Sequence, residues 1–152
     1  VCVVCTGCEL FDERMTVDLC REIYAFLSER CDCDMVARGM LHVVPSTEMV
    51  VSVRASVMLT DADRAAVTQQ NIEKSVTNLI ENVWRKRAIG EQISINELYQ
   101  AVKSVENVAS ITRIMPEGSY YYEGRKFLTA LDDQSVFPFA TVKNGTHTIR
   151  IG

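Results

Sequence analysis

The chain reads as an α+β protein: a split β-α-β (ferredoxin-like) sheet with helices on one face, followed by a C-terminal β-hairpin. Three observations predict this. Residues 49–59 alternate apolar and polar as a half-buried strand does. Two capped segments with helical periodicity follow. Asn144-Gly145 then stands between two strand-like runs.

Residues 1–6 (VCVVCT) are short, apolar and β-branched and end at Gly7, which predicts a buried strand. Thr16 is placed to cap a helix running to about Arg30, because Val17, Cys20, Tyr24 and Leu27 recur at helical spacing with Ile23 beside them. A polar, Cys-containing connection leads to a second apolar run at 40–44, closed by Pro45. In the strand at 49–59, Met49, Val51, Val53, Ala55, Val57 and Leu59 share the core face, while Ser52, Arg54 and Ser56 share a wetter one. Thr60 and Asp63 resemble a capping box with Asp in place of Glu. The helix after them is lined by Ile72, Val76, Leu79, Ile80 and Val83 and is expected to end near Gly90.

Ser94 and Glu97 form a better capping box, opening a short helix whose Leu98, Ala101, Val102 and Val105 face one way, with a brief pairing expected at Ile93. The next strand, 108–115, is expected to stop at Pro116 and Gly118, and no regular period is visible as far as Gln134. Lys143-Asn144-Gly145-Thr146 lies between runs at 136–142 and 146–151. Asn-Gly suits the two positive φ angles of a type I′ hairpin turn. Two lobes are expected: 1–46, a strand-helix-strand piece read as the end of a truncated domain, and 47–152, with the option that they pack as one. The start at Val1, directly into a strand-like run, is what a fragment of a longer polypeptide would show.

At 152 residues, 47% hydrophobic and 24% charged, the chain is neither disordered nor fibrous. A domain of this length buries roughly 70% of its unfolded surface, so disulfides are optional. A net charge of -4 supplies no general field for phosphate backbones. The one basic cluster, Arg85-Lys86-Arg87 beside Trp84, is accounted for by the negative end of a helix dipole, so nucleic acid is not an expected ligand. No apolar run approaches the roughly 18–20 residues of a membrane span, and no secretory signal opens the chain.

Cys2, Cys5 and Cys8 spell C-x-x-C-x-x-C, the opening of a bacterial iron-sulfur ligand run. The run is incomplete: the next cysteine is Cys20, followed by Arg21 rather than Pro. A strand would also point Cys5 away from Cys2 and Cys8. The alternative reading is of small buried hydrophobes, with Cys31 and Cys33 flanking Asp32 in a loop and reduced thiols throughout. His42 and His147 stand on predicted strands, away from any acidic or nucleophilic motif, and are assigned structural or surface roles. No G-x-S-x-G elbow, phosphate loop, dinucleotide turn or H-E-x-x-H helix occurs, so no catalytic, cofactor-binding or metal-ligating residue is assigned and no enzymatic activity is expected. Tyr120-Tyr121-Tyr122, beside Pro116, Gly118 and Gly124, suits either a partner-covered surface or packing on its own sheet. Asn144-Gly145-Thr146 matches a glycosylation acceptor, but the turn already accounts for its Asn-Gly.

Residues 49–114 resemble the C-terminal part of baseplate J-like proteins, wedge components of contractile phage tails and related injection machines. The pieces that carry the resemblance are Val51-Ser52-Val53-Arg54-Ala55, the helix from Ile72 to Val83, Ile89-Gly90-Glu91-Gln92-Ile93-Ser94, then Leu98, Val102 and Val105-Glu106-Asn107-Val108. Residues 1–44 also resemble the strand, helix and strand that lead into this unit. Where the family places Gly before the Val of the last strand, this chain has Asn107, which also tolerates a left-handed backbone. The resemblance implies a structural subunit assembled in the cytoplasm into a virion baseplate or injection particle. Its implied partners are other tail or baseplate subunits and copies of itself, and it implies no catalytic residues. The Cys-rich opening is not a family feature. It keeps open an alternative, a small metal or iron-sulfur protein using Cys2, Cys5 and Cys8 with Cys20, Cys31 or Cys33. A third class, a ligand-binding regulatory module, would need a pocket.

Overall fold

In the computed structural model, the residues described are 2–3, 13–45, 47–87, 93–122, 125–131 and 140–152. They form two compact units, 1–46 and 47–152. The first holds β1 (Cys2–Val3), α1 (Glu13–Ser28), α2 (Cys33–Ala37) and β2 (Val44–Pro45), with β1 and β2 paired in parallel. Helix α1 begins before Thr16, so Thr16 lies inside the helix and is not its cap. Of the expected stripe Cys20 is buried and Ile23 and Leu27 half-buried, while Val17 and Tyr24 are exposed. The Cys-containing connection carries α2, capped by Asp32, whose carboxylate accepts the Asp34 N–H. The apolar run at 40–43 has no regular structure, and pairing is confined to Val44 and Pro45.

The second unit is α+β, a mixed five-stranded sheet with helices packed on it. Strand β3 (Thr47–Leu59) is its spine. Its alternation is as expected: Met49, Val51, Val53, Ala55 and Val57 are buried, with Arg54 and Met58 exposed on the other face. A 3₁₀ turn (Ala62–Arg64) leads into α3 (Ala65–Asn82), whose Ile72, Val76 and Ile80 lie on that apolar face. A second 3₁₀ turn (Trp84–Lys86) and α4 (Ile95–Lys103) add Trp84, Leu98 and Val102 to the same core. Each such fully buried aliphatic side chain stabilises the fold by about 1.5–3 kcal/mol, so this layer is the main source of cohesion.

The capping details differ from expectation. Asp61, not Thr60, caps the entry to the first 3₁₀ turn by accepting the Asp63 N–H. Ser94 makes no side-chain cap bond at α4, and the carboxylate of Glu97, the other half of the expected box, accepts from Trp84. Helix α3 ends at Asn82, well before Gly90, and Val83 is exposed. Ile93 is buried but not paired in a strand.

Strand β4 (Val108–Tyr122) runs antiparallel to β3 and straight through Pro116 and Gly118, which were expected to end it. Pro116 sits opposite Val53, whose N–H points to the far side of β3, so β3 asks no bond of the proline. On its other side Pro116 lies one position beyond the last β5 pair, Glu117 with Ala130. There its carbonyl accepts the Leu131 N–H at 3.1 Å. Gly118 is a packing requirement: a Cβ there would stand 2.8 Å from Met49 Sδ and 3.2 Å from a Leu131 methyl. Strand β5 (Arg125–Ala130) pairs antiparallel with β4, so the segment that lacked a period is half of a hairpin.

Of the expected run 136–142, residues 136–139 lie outside the described residues; β6 (Ala140–Asn144) takes in Asn144 itself, β7 (Thr148–Ile151) follows after three residues, and the pairing partner of both is β3. Both run parallel to it, β6 against residues 47–51 and β7 against residues 54–57. Gly145 is not in the positive-φ region a type I′ turn needs. Long-range burial outweighs the local turn preference here. Laid along β3, β7 places Ile149 beside Ala55 at 6% exposure and packs against α3, which a strand hung outside β6 would not reach.

Candidate functional site

The cysteine constellation falls largely outside the described residues: Cys5 and Cys8 entirely, and the side chain of Cys2 in β1. Cys20 is buried in α1, Cys31 half-buried and Cys33 exposed at the start of α2. Among the described residues no group of three or more His, Cys, Asp or Glu side chains is placed to hold a metal ion. No helix among them is long and apolar enough to cross a membrane.

Trp84 is turned into the core, separated from the exposed Arg85 and Lys86 that adjoin it in sequence. Its indole N–H donates to Glu97 Oε2 at 2.9 Å, and Arg87 donates to Glu97 Oε1 at 2.5 Å. This clamp holds the end of α3 to α4 through a charge-assisted bond. It also turns the Glu97 carboxylate to a use other than the reciprocal half of the expected capping box.

Asn107 forms a second clamp. Its φ is 75°, and its carbonyl oxygen accepts the Asp61 N–H at 2.7 Å. Its amide donates to Asp61 O at 2.8 Å and to Thr68 Oγ1 at 3.0 Å, and its own carbonyl accepts the Thr60 N–H at 3.0 Å. The left-handed turn into β4 is thereby tied to the corner between β3 and α3. A glycine would supply the turn and none of the side-chain bonds.

His147 occupies the β6–β7 junction, half-buried. Its Nδ1 accepts the Val53 N–H at 3.2 Å, and its Nε2 lies 2.8 Å from Asn144 Oδ1. Burial lowers its pKa, partly opposed by the Glu73 carboxylate of α3. His42 is exposed between α2 and β2. The side-chain role of His147 had no sequence signal beyond its place between two strand-like runs.

Two surfaces remain. The tyrosine segment ends β4, where Tyr120 stacks on Phe127 with ring centroids 5.4 Å apart and Tyr121 is 66% exposed. With Leu128 at 73%, this ribbon presents more apolar area than a lone surface residue does. The second surface is the sheet face opposite α3 and α4. It carries Met58 and ion pairs between Arg54 and Glu117 at 3.0 Å and between Lys143 and Glu48 at 3.2 Å. A shallow depression along α3 is lined by Gln70, Glu73, Lys74, Thr77 and Glu81, and among the described residues no second element contributes a converging polar group to it. No protein-family model matches the chain, and no curated protein matches it.

Proposed function

We propose that the chain is a structural subunit of a phage-tail or contractile injection-system baseplate, acting by protein–protein assembly with other tail subunits and copies of itself. The observation that carries this reading is the exposed β4–β5 ribbon with Tyr121, Phe127 and Leu128. Apolar and aromatic side chains of this kind are favoured where another protein covers the surface. The succession of β3, α3, α4, the Asn107 turn and β4 follows the order of pieces on which the resemblance to baseplate J-like proteins rests. The reading assigns no catalytic residue and needs no cofactor.

The test is affinity purification of the tagged full-length gene product from its native genomic context, with mass spectrometry and electron microscopy of the eluate. Co-purification with sheath, tube and spike proteins in a large particle is the expected result. A lone monomer encoded among metabolic genes, or stoichiometric iron or zinc after anaerobic purification, would overturn the reading.

A further inference from the structure

Strands β6 and β7 behave as one strand carrying a defect. Between the pairs Val51 with Asn144 and Arg54 with Thr148, three residues (Gly145, Thr146 and His147) oppose two, Ser52 and Val53. The extra residue breaks the parallel ladder as a bulge does, leaving β3 backbone groups to be satisfied locally. Gly145 N–H reaches Val51 O at 2.9 Å. The Val53 N–H finds no backbone carbonyl and donates to the His147 ring.

That bond sets the state of the ring. A peptide N–H only donates, so Nδ1 must present its lone pair, and the ring proton sits on Nε2, pointing at the Asn144 carbonyl oxygen. Only neutral imidazole satisfies both contacts. A second proton on Nδ1 would set two N–H groups head to head across 3.2 Å and leave the Val53 N–H without an acceptor.

The charged groups around the ring do little to rescue the protonated form. Glu73 on α3 favours it, and burial opposes it more strongly. The core-face neighbours on β3 are Met49, Val51, Val53, Ala55 and Val57, none of which titrates. On the strands themselves, Lys143 is paired with Glu48 and Arg150 is exposed; Arg54 on β3 is paired with Glu117. The 3₁₀ turn that packs on β6 contributes Arg85 and Lys86, both exposed cations.

We infer that His147 is an acid-released latch: the neutral ring closes the β3 ladder at the β6–β7 junction, and proton uptake opens it, so that β7 separates from β3 before the rest of the sheet. The sign follows from the direction of the shift. The folded pKa lies below the unfolded value of 6.5, so the contribution is complete above that value and is lost as pH falls from it toward the folded pKa. Opening would uncover the edge of β3 at residues 54–57, an unpaired strand edge able to accept another chain.

The test is amide hydrogen exchange by NMR on the full chain at about pH 7.5 and about pH 5, corrected for intrinsic rates, with β4 amides as the internal reference. In the wild type, protection at residues 148–151 should fall relative to β4, by up to about tenfold per unit of pKa depression. In His147→Gln, whose amide can accept from Val53 and donate to Asn144 without titrating, the relative protection should not change with pH. His42→Gln should behave as wild type. Equal pH dependence in His147→Gln and wild type, or none in wild type, would overturn the latch. Should His147→Gln fail to fold, the ring nitrogen shifts of wild type decide. A neutral ring protonated on Nε2 and titrating below 6.5 supports the latch, and protonation on Nδ1 or titration at or above 6.5 refutes it.

Discussion

Replacing Asn107 separates its two contributions, the left-handed backbone and the side-chain clamp. The clamp has three side-chain bonds, two at exposed positions and one, to Thr68, partly buried. Taking about 0.5 kcal/mol for each exposed bond and about 1 kcal/mol for the partly buried one puts it near 2 kcal/mol. Thr68 keeps its own bond to Arg64 O at 2.9 Å, so its hydroxyl is not orphaned and adds no further penalty. Asn107→Ala loses the clamp and forces a Cβ residue to φ 75°. That adds about 1 kcal/mol, for a total near 3 kcal/mol. Asn107→Gly loses the same bonds but is unstrained, and its extra unfolded-state entropy offsets part of the relief, so a loss of about 2 kcal/mol is expected. Urea unfolding followed by circular dichroism and Trp84 fluorescence measures both. Asn107→Gly at wild-type stability would show that only the turn matters. Asn107→Gly falling below Asn107→Ala would refute the strain argument.

Further substitutions probe other features. Gly145→Ala should cost about 2 kcal/mol, because its Cβ would stand 2.6 Å from Ser52 Oγ and 2.8 Å from the Val51 carbonyl. A thermal melt within a degree of wild type would mean the junction can give way there. Glu97→Ala removes the acceptor of a buried indole N–H and the partner of Arg87, and chemical denaturation should register a loss of about 2–3 kcal/mol. Glu97→Gln, which still accepts from Trp84, should lose less. Val53→Asp buries a carboxylate in the core and should leave no soluble protein, whereas Ser52→Asp on the opposite face should be recovered in soluble form. Equal solubility of the two would show that the faces of β3 are assigned the wrong way round.

The elements most readable in the sequence are those whose periodicity and tertiary environment agree. The two-residue alternation of β3 and the helical spacing of Ile72, Val76 and Ile80 point at the same core from opposite layers. The left-handed backbone at Asn107 was suggested only by the resemblance, which has Gly at that place, and Asn is among the few other residues that sit there at low strain. Other features depended on neighbours the local sequence does not reveal. Pro116 breaks a strand only where its N–H is needed, and opposite Val53 it is not. Gly145 looked like a turn residue but serves a close approach to β3. Of the candidate surfaces, the tyrosine segment was visible as composition, and its stacking partner Phe127 became apparent only once β4 and β5 were paired. The Glu97 clamp was hidden because Ser94 and Glu97 fit a familiar motif whose second half another element uses.

The placement of β6 and β7 bears on how the protein is made. Strand β3 is synthesised before its partners β6 and β7, so one of its flanks stays open until residues 140–151 leave the ribosome. Throughout that interval a nascent chain carries an apolar strand with a bare margin, a standing invitation to chaperones and to neighbouring copies on the same polysome. Slowing translation of the codons for residues 140–151 should therefore lower the soluble yield more than slowing translation anywhere within α3.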